Sequence, residues 1–74
     1  MKITAKLFAT FREGREKVQT FELPEGTTVG DVINTLGIKR SEIAILLVNG
    51  RDSEFGRVFM DGDVLALFPP VGGG

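Results

Sequence analysis

Polar and apolar residues alternate from Lys2 to Phe11, with Ile3, Ala5, Leu7, Ala9 and Phe11 on one side and Lys2, Thr4, Lys6 and Thr10 on the other. A period of two is that of a strand with one face against a core. Phe8 breaks the alternation by putting an aromatic ring on the polar side. The charged stretch from Arg12 to Lys17, which holds Gly14, reads as the turn of a hairpin whose second strand runs from Val18 to Leu23. Pro24, Glu25 and Gly26 then supply turn chemistry. Beyond them the period changes: Val29, Val32, Ile33 and Leu36 stand at i, i+3, i+4 and i+7, one face of a helix. Thr28 is placed to cap its N-terminus, with Asp31 three residues on completing a short-armed capping box and complementing the positive end of the helix dipole. Gly37 supplies a left-handed stop that Ile38 covers. Gly30 is an opposing term, since glycine inside a helix costs about 1 kcal/mol against alanine. After a polar link from Lys39 to Glu42, the run Ala44 to Val48 predicts a third strand, bounded by the strong turn pair Asn49-Gly50. Arg51 to Gly62 reads as irregular, Asp61-Gly62-Asp63 as a turn, and Val64 to Phe68 as the last strand. Pro69 and Pro70 end it, because neither can donate a ladder hydrogen bond.

This order, a hairpin, a helix and then further strands, predicts an α+β fold with one mixed sheet of four to five strands and one main helix across one face. If the first and last strands are central and parallel, the chain between them is the long crossover that parallel pairing requires. That is a β-grasp (ubiquitin-like) arrangement over residues 1–70, followed by a glycine tail at 71–74. Side chains alternate along a strand, so with Ile3, Ala5, Leu7, Leu65 and Leu67 turned to the helix, Phe8 and Phe68 point to the opposite face. Both then lie at the C-terminal ends of adjacent strands, beside the root of the tail.

Composition narrows the chemistry. The 74 residues suffice for one small domain, and 42% hydrophobic with 26% charged residues is a globular balance. Nine basic and ten acidic side chains give a net charge of −1, with no electrostatic excess for nucleic acid or an anionic membrane. Cys, His, Trp and Tyr are absent from the sequence. With them go the thiolate and imidazole of structural zinc, of iron–sulfur ligation and of nucleophilic dyads. Asp61 and Asp63 read as a turn and not as a metal site, one short acidic turn lacking the ligand count of a calcium loop. Zero cysteines, no apolar signal segment and no membrane-length apolar run place the chain, as an expectation, in the cytoplasm.

Val71, Gly72, Gly73 and Gly74 end the sequence. Triple glycine offers no side chain to bury and loses more backbone freedom on ordering than any other residue, so the tail is expected to project, stiffened at its base by Pro69 and Pro70. The alternative is a frayed end without a role. The run Phe68-Pro69-Pro70-Val71-Gly72-Gly73-Gly74 closely resembles the C-terminal motif of the molybdopterin synthase small subunits, ubiquitin-like sulfur carriers of the MoaD type whose chains end Phe-Pro-Pro-Val, a small residue, then Gly-Gly. Leu7-Phe8-Ala9 with Arg12-Glu13, Val48-Asn49 and Asp61-Gly62-Asp63 resemble the family's first strand and loop, its third strand and its last turn. Gly72 departs from the usual Ala or Ser, and the region from Arg51 to Phe59 is trimmed.

The resemblance implies that an E1-like adenylating enzyme uses ATP to adenylate the Gly74 carboxylate and that a sulfur donor protein converts it to a thiocarboxylate. It implies further that the loaded tail, Val71 to Gly74, enters the large subunit of molybdopterin synthase, in a heterotetramer, to deliver sulfur for the molybdenum or tungsten cofactor. Catalytic groups then belong to partners and no cofactor is bound by this chain. Phe8, Phe68, Pro69, Pro70 and Arg12 are the expected partner surface, Arg12 either pairing with an acidic partner group or simply solvated. Arg51, beside the Asn49-Gly50 turn, is a weaker candidate of the same kind. Other readings stay open: a ThiS-type carrier for thiazole formation in thiamine synthesis, a ubiquitin-like modifier joined through Gly74 to lysines, and a β-grasp interaction module with an incidental tail.

Overall fold

A computed structural model describes residues 1–70. The described residues form one five-stranded mixed sheet in the order β2-β1-β5-β3-β4, from β1 (Lys2–Leu7), β2 (Val18–Glu22), β3 (Ile45–Val48), β4 (Arg51–Asp52) and β5 (Val64–Phe68). The helix α1 (Val29–Leu36) shares a core with the sheet: Val29, Val32 and Ile33 are buried in one cluster with Ile3, Ala5, Leu7, Leu46, Val48, Leu65 and Leu67. The expected β-grasp architecture is therefore present. β1 and β5 are central and parallel, with Thr4 opposite Val64 and Leu7 opposite Leu67, while β2 and β3 flank them antiparallel.

The helix ends match their sequence signals. The Thr28 side chain accepts from the Asp31 amide and the Asp31 carboxylate accepts from the Thr28 amide, a capping box worth about 1 kcal/mol at the threonine. Hydrogen bonding from the Thr28 amide first, and from the Thr28 side chain second, holds the Asp31 carboxyl below its ordinary range. At the other end Gly37 is left-handed at φ 74, and Ile38 is buried over the stop. The Arg15 side chain adds a device not read from the sequence: its Nε donates to the Leu36 carbonyl at 3.0 Å, satisfying an orphan acceptor at the negative end of the helix.

Two boundaries differ from expectation. β1 stops at Leu7 instead of running to Phe11, because Ala9 takes φ 53 and a 3-10 turn, Ala9–Arg12, follows. Phe11 is buried as its alternation implied, but it reaches the core from that turn and not from a strand. The stretch from Arg51 to Gly62, read as irregular, begins with β4, folded back on β3 by Asn49 and Gly50, both at positive φ as a primed hairpin turn demands. The rest of that stretch pairs only through an isolated antiparallel bridge, Val58 opposite Thr28, and yet is tied to the fold. Its Phe55 and Arg57 carbonyls accept from the Gly30 and Val29 amides, two of the helix's orphan donors, and Phe59 is buried at 2% exposure. Gly30, an apparent cost within the helix, is where this segment approaches: a Cβ there would meet the Phe55 carbonyl oxygen at 3.2 Å.

Candidate functional site

The site is built where β1 and β5 end side by side. Parallel pairing brings Leu7 opposite Leu67, so the next residue of each strand, Phe8 and Phe68, emerges on the face away from α1. The rings stack with centroids 4.3 Å apart and planes 10° apart, a pairing worth about 0.5–1.5 kcal/mol beyond the area it covers. Both remain half-buried, leaving ring surface to solvent. The Phe8 amide donates to the Leu67 carbonyl and the Ala44 amide to the Phe68 carbonyl, so the backbone carrying each ring is held by its neighbour strand. Pro69, half-buried, and Pro70, exposed, follow directly and carry the chain away from the sheet. An open groove of about 640 Å³ runs beside them, with Phe11, Ser41, Glu42, Phe68, Pro69 and Pro70 among its walls.

Arg12 is brought to the same place by the left-handed Ala9 and the turn after it. Its Nε donates to the Leu7 carbonyl at 2.8 Å, and its guanidinium carbon lies over the Phe8 ring, 5.3 Å from the centroid. Thus Phe8, Phe68, Pro69, Pro70 and Arg12 form one surface. Val71, Gly72, Gly73 and Gly74 lie outside the described residues. Arg51 sits on β4, the edge strand at the far side of β3.

Sequence reasoning missed the breadth of this surface. Ile45 lies opposite Phe68, and Leu47 opposite Ala66, on the same open face, and Ile45 is 48% exposed. Val18, 47% exposed, extends the face across β2 through Lys6. A signal for it was present: Ile45 to Val48 and Val64 to Phe68 are apolar at every position, whereas a sheet covered by a helix on one side only calls for alternation in its strands. Central strands that are apolar on both faces in a two-layer fold leave one apolar face to be covered by something else.

Among the described residues no acid–base constellation is found beside this surface. Asp63, by contrast, is buried at the other end of β5, where its carboxylate accepts from the Met60 amide and Arg57 Nη1 on one oxygen and from Asn49 Nδ2 on the other, at 2.8–2.9 Å. Burial alone would raise this carboxyl, and the bonds from Met60, Asn49 and Arg57 outweigh it, holding the group below the usual carboxylate range. This is a structural lock, since both carboxylate oxygens of Asp63 and both polar side-chain atoms of Asn49 are engaged. Asp61, its companion in the turn, instead accepts from the Lys2 amide. Among the described residues no helix is long and apolar enough to cross a membrane.

Known proteins share both the fold and the sequence. Small archaeal modifier protein 3 of Haloferax volcanii is 30% identical over 93 residues, an alignment that spans 100% of both chains. The crystal structure of SAMP1 from Haloferax volcanii superposes with a TM-score of 0.81 at 29% identity, again over 100% of each chain. A Pyrococcus furiosus chain named as molybdopterin converting factor subunit 1 superposes with a TM-score of 0.76 at 34% identity, over 96% of this chain and 99% of that one. A model of the ThiS family matches residues 5–74. With its β-grasp fold and a match over nearly its whole length, this chain belongs to the ThiS family of ubiquitin-like sulfur carriers and modifiers.

Proposed function

We propose that this protein is a sulfur carrier for molybdopterin synthesis, acting as the small subunit of molybdopterin synthase. The Gly74 carboxylate attacks the α-phosphorus of ATP on an E1-like adenylating enzyme, pyrophosphate leaves, and sulfide-level sulfur from a donor protein attacks the acyl carbon, forming the C–S bond of the thiocarboxylate as the C–O bond to AMP breaks and AMP leaves. The thiocarboxylate is then delivered inside a large synthase subunit. A carboxylate is a poor electrophile until it carries a leaving group, which explains why a chain without His, Cys or a paired acid and base relies on others for catalysis. The observation that carries this reading is the stacked Phe8–Phe68 pair at the root of the tail, continuous with the apolar open face of the sheet. A surface so placed docks the body of the protein while the tail reaches into a partner's active site. The 34% identity to a chain whose name makes it one subunit of a molybdopterin converting factor supports the same reading.

The test is the intact mass of the chain after incubation with ATP, a sulfur donor and the adenylating enzyme of its own cell. A gain matching the replacement of one oxygen by sulfur is expected, and an unchanged mass with an enzyme shown active on another carrier would overturn the proposal. Docking has its own test. Phe68→Ala is expected to lower affinity for the large subunit by about 1.5–3 kcal/mol, the value of one phenylalanine buried by a partner, while costing the monomer only about 1 kcal/mol of stability. Isothermal titration and thermal melting of the same variant separate the two.

A second reading is favoured by a specific observation, the 30% identity to a small archaeal modifier protein across both full lengths. Here the same adenylated Gly74 passes to lysine amines of target proteins. Higher-mass covalent conjugates in lysate that vanish when Gly74 is deleted would support it, and the two fates can coexist on one activated tail.

A further inference from the structure

Arg12 was read from the sequence as a charge offered to a partner or to water, and its exposed side chain is also tied to its own molecule. Its Nε is held by the Leu7 carbonyl at 2.8 Å and its guanidinium lies over Phe8, which in turn stacks on Phe68. We infer that Arg12 is a positioning residue that fixes the Phe8 ring against Phe68 and so presets the docking surface before a partner arrives. The inference rests on the docking surface proposed above.

Phe8 follows the last residue of β1 and precedes Ala9 at φ 53, so the ladder ends beneath the ring and no strand neighbour beyond it restricts the side chain. Without the arginine, a half-buried phenylalanine there would sample other rotamers, and a partner would have to select the stacked one. The Leu7 carbonyl and the turn Ala9–Arg12 anchor the arginine from two sides, which lets it act as a clamp. Lysine cannot substitute. Its one nitrogen sits at the end of the chain, whereas arginine donates from Nε and covers a ring with the planar group beyond it at the same time. The left-handed Ala9 belongs to the same device: a non-glycine residue enters that region only at some cost in free energy, and here it turns the chain so that Arg12 returns over Phe8.

The experiment has two parts. In the free protein, nuclear magnetic resonance of the Phe8 and Phe68 ring protons reads the stack directly through each ring's effect on the other. Arg12→Lys and Arg12→Ala are both expected to move these resonances toward unstacked values, with the amide spectrum of the sheet unchanged. Binding is then measured against the adenylating enzyme purified from the same cell, at low and high salt. Arg12→Lys is expected to bind roughly two- to fivefold more weakly at both salt concentrations. Adding it to Phe8→Ala is expected to cause no further loss, because the clamp has nothing left to hold. Unmoved ring resonances would overturn the inference. So would losses that add, with the Arg12 share disappearing at high salt, since that is the behaviour of a direct ion pair with the partner. Should Phe8→Ala bind like the wild type, the docking reading itself fails, and the ring resonances alone still decide whether Arg12 positions Phe8.

Discussion

Deleting Gly74, or adding one residue after it, is expected to abolish sulfur loading while leaving the melting temperature unchanged. Deletion still leaves a carboxylate, on Gly73, so the prediction depends on reach and not on the loss of a functional group. One residue of extended chain spans about 3.3–3.6 Å, and displacement of a reacting atom by about 1 Å from its productive position already costs on the order of a hundredfold in rate. A shortened or lengthened tail therefore presents its carboxylate several ångströms from where adenylation occurs. The body of the fold has no stake in the change, since glycine brings no side chain to its core. Intact mass after incubation with ATP, sulfur donor and adenylating enzyme provides the readout, and a thermal melt provides the control. Loading of the shortened chain at the wild-type rate would show that tail length does not set the position of the reacting carboxylate. Because the proposed adenylation would precede both sulfur transfer and conjugation to lysine, the same variant is expected to silence the modifier reading too, and the products of the intact chain tell the two apart.

Replacing Asp63 is expected to produce the largest loss of stability. The carboxylate is 5% exposed and gathers the Met60 amide, Arg57 and the Asn49 side chain, while Asn49 Oδ1 accepts from the Val64 amide, so one acid organises the turn into β5. Alanine would leave the Met60 amide and the Asn49 amide group, both at part-buried bonds, without their acceptor, although Arg57, about a third exposed, can turn to water. The cost is about 3 kcal/mol for Asp63→Ala, a fall in melting temperature of roughly 10–20 °C in a domain of this size. Asp61→Ala, two residues away and exposed, is expected to cost less than about 1 kcal/mol. The charge adds a dependence on pH. The folded-state carboxyl is held below its unfolded value, so the unfolded chain binds the proton more readily and stability rises with pH through that window. The advantage of wild type over Asp63→Asn is therefore complete above the ordinary aspartate value near about 4 and shrinks as the pH falls through the lower, folded-state value. Urea titrations of both proteins at neutral and acid pH measure it. A gap that stays constant into strong acid would show that Asp63 acts through shape alone.

Much of the fold was legible because it depends on contacts between near neighbours in the chain. The period of the apolar residues in β1 and α1, the Thr28–Asp31 cap, the Gly37 stop and the Asn49-Gly50 turn are all fixed within a few residues. The segment from Arg51 to Gly62 was not legible, because its order comes from elsewhere. It is held by carbonyls that accept from the first turn of α1 and by Phe59 in the shared core, and neither leaves a periodic trace. The end of β1 was misplaced for a related reason: Ala9 adopts a backbone conformation unusual for alanine, which no local pattern announces.

By itself the sequence determined the β-grasp class, the absence of thiol and imidazole chemistry, the two faces of β1 and β5, and the run from Phe68 to Gly74 that directs attention to the chain's end. Alternation along a strand is a local property, and it was enough to place Phe8 and Phe68 on one side. Tertiary structure alone decided that the rings stack, that Arg12 is bound to Leu7 and Phe8, that Ile45 and Leu47 widen the same surface, and that Asp63 is a lock where Asp61 is not. Each of these depends on the register between strands distant in sequence and on how two loops close over one another. Such distances are set by the packing of the whole core, and no window of the chain contains them.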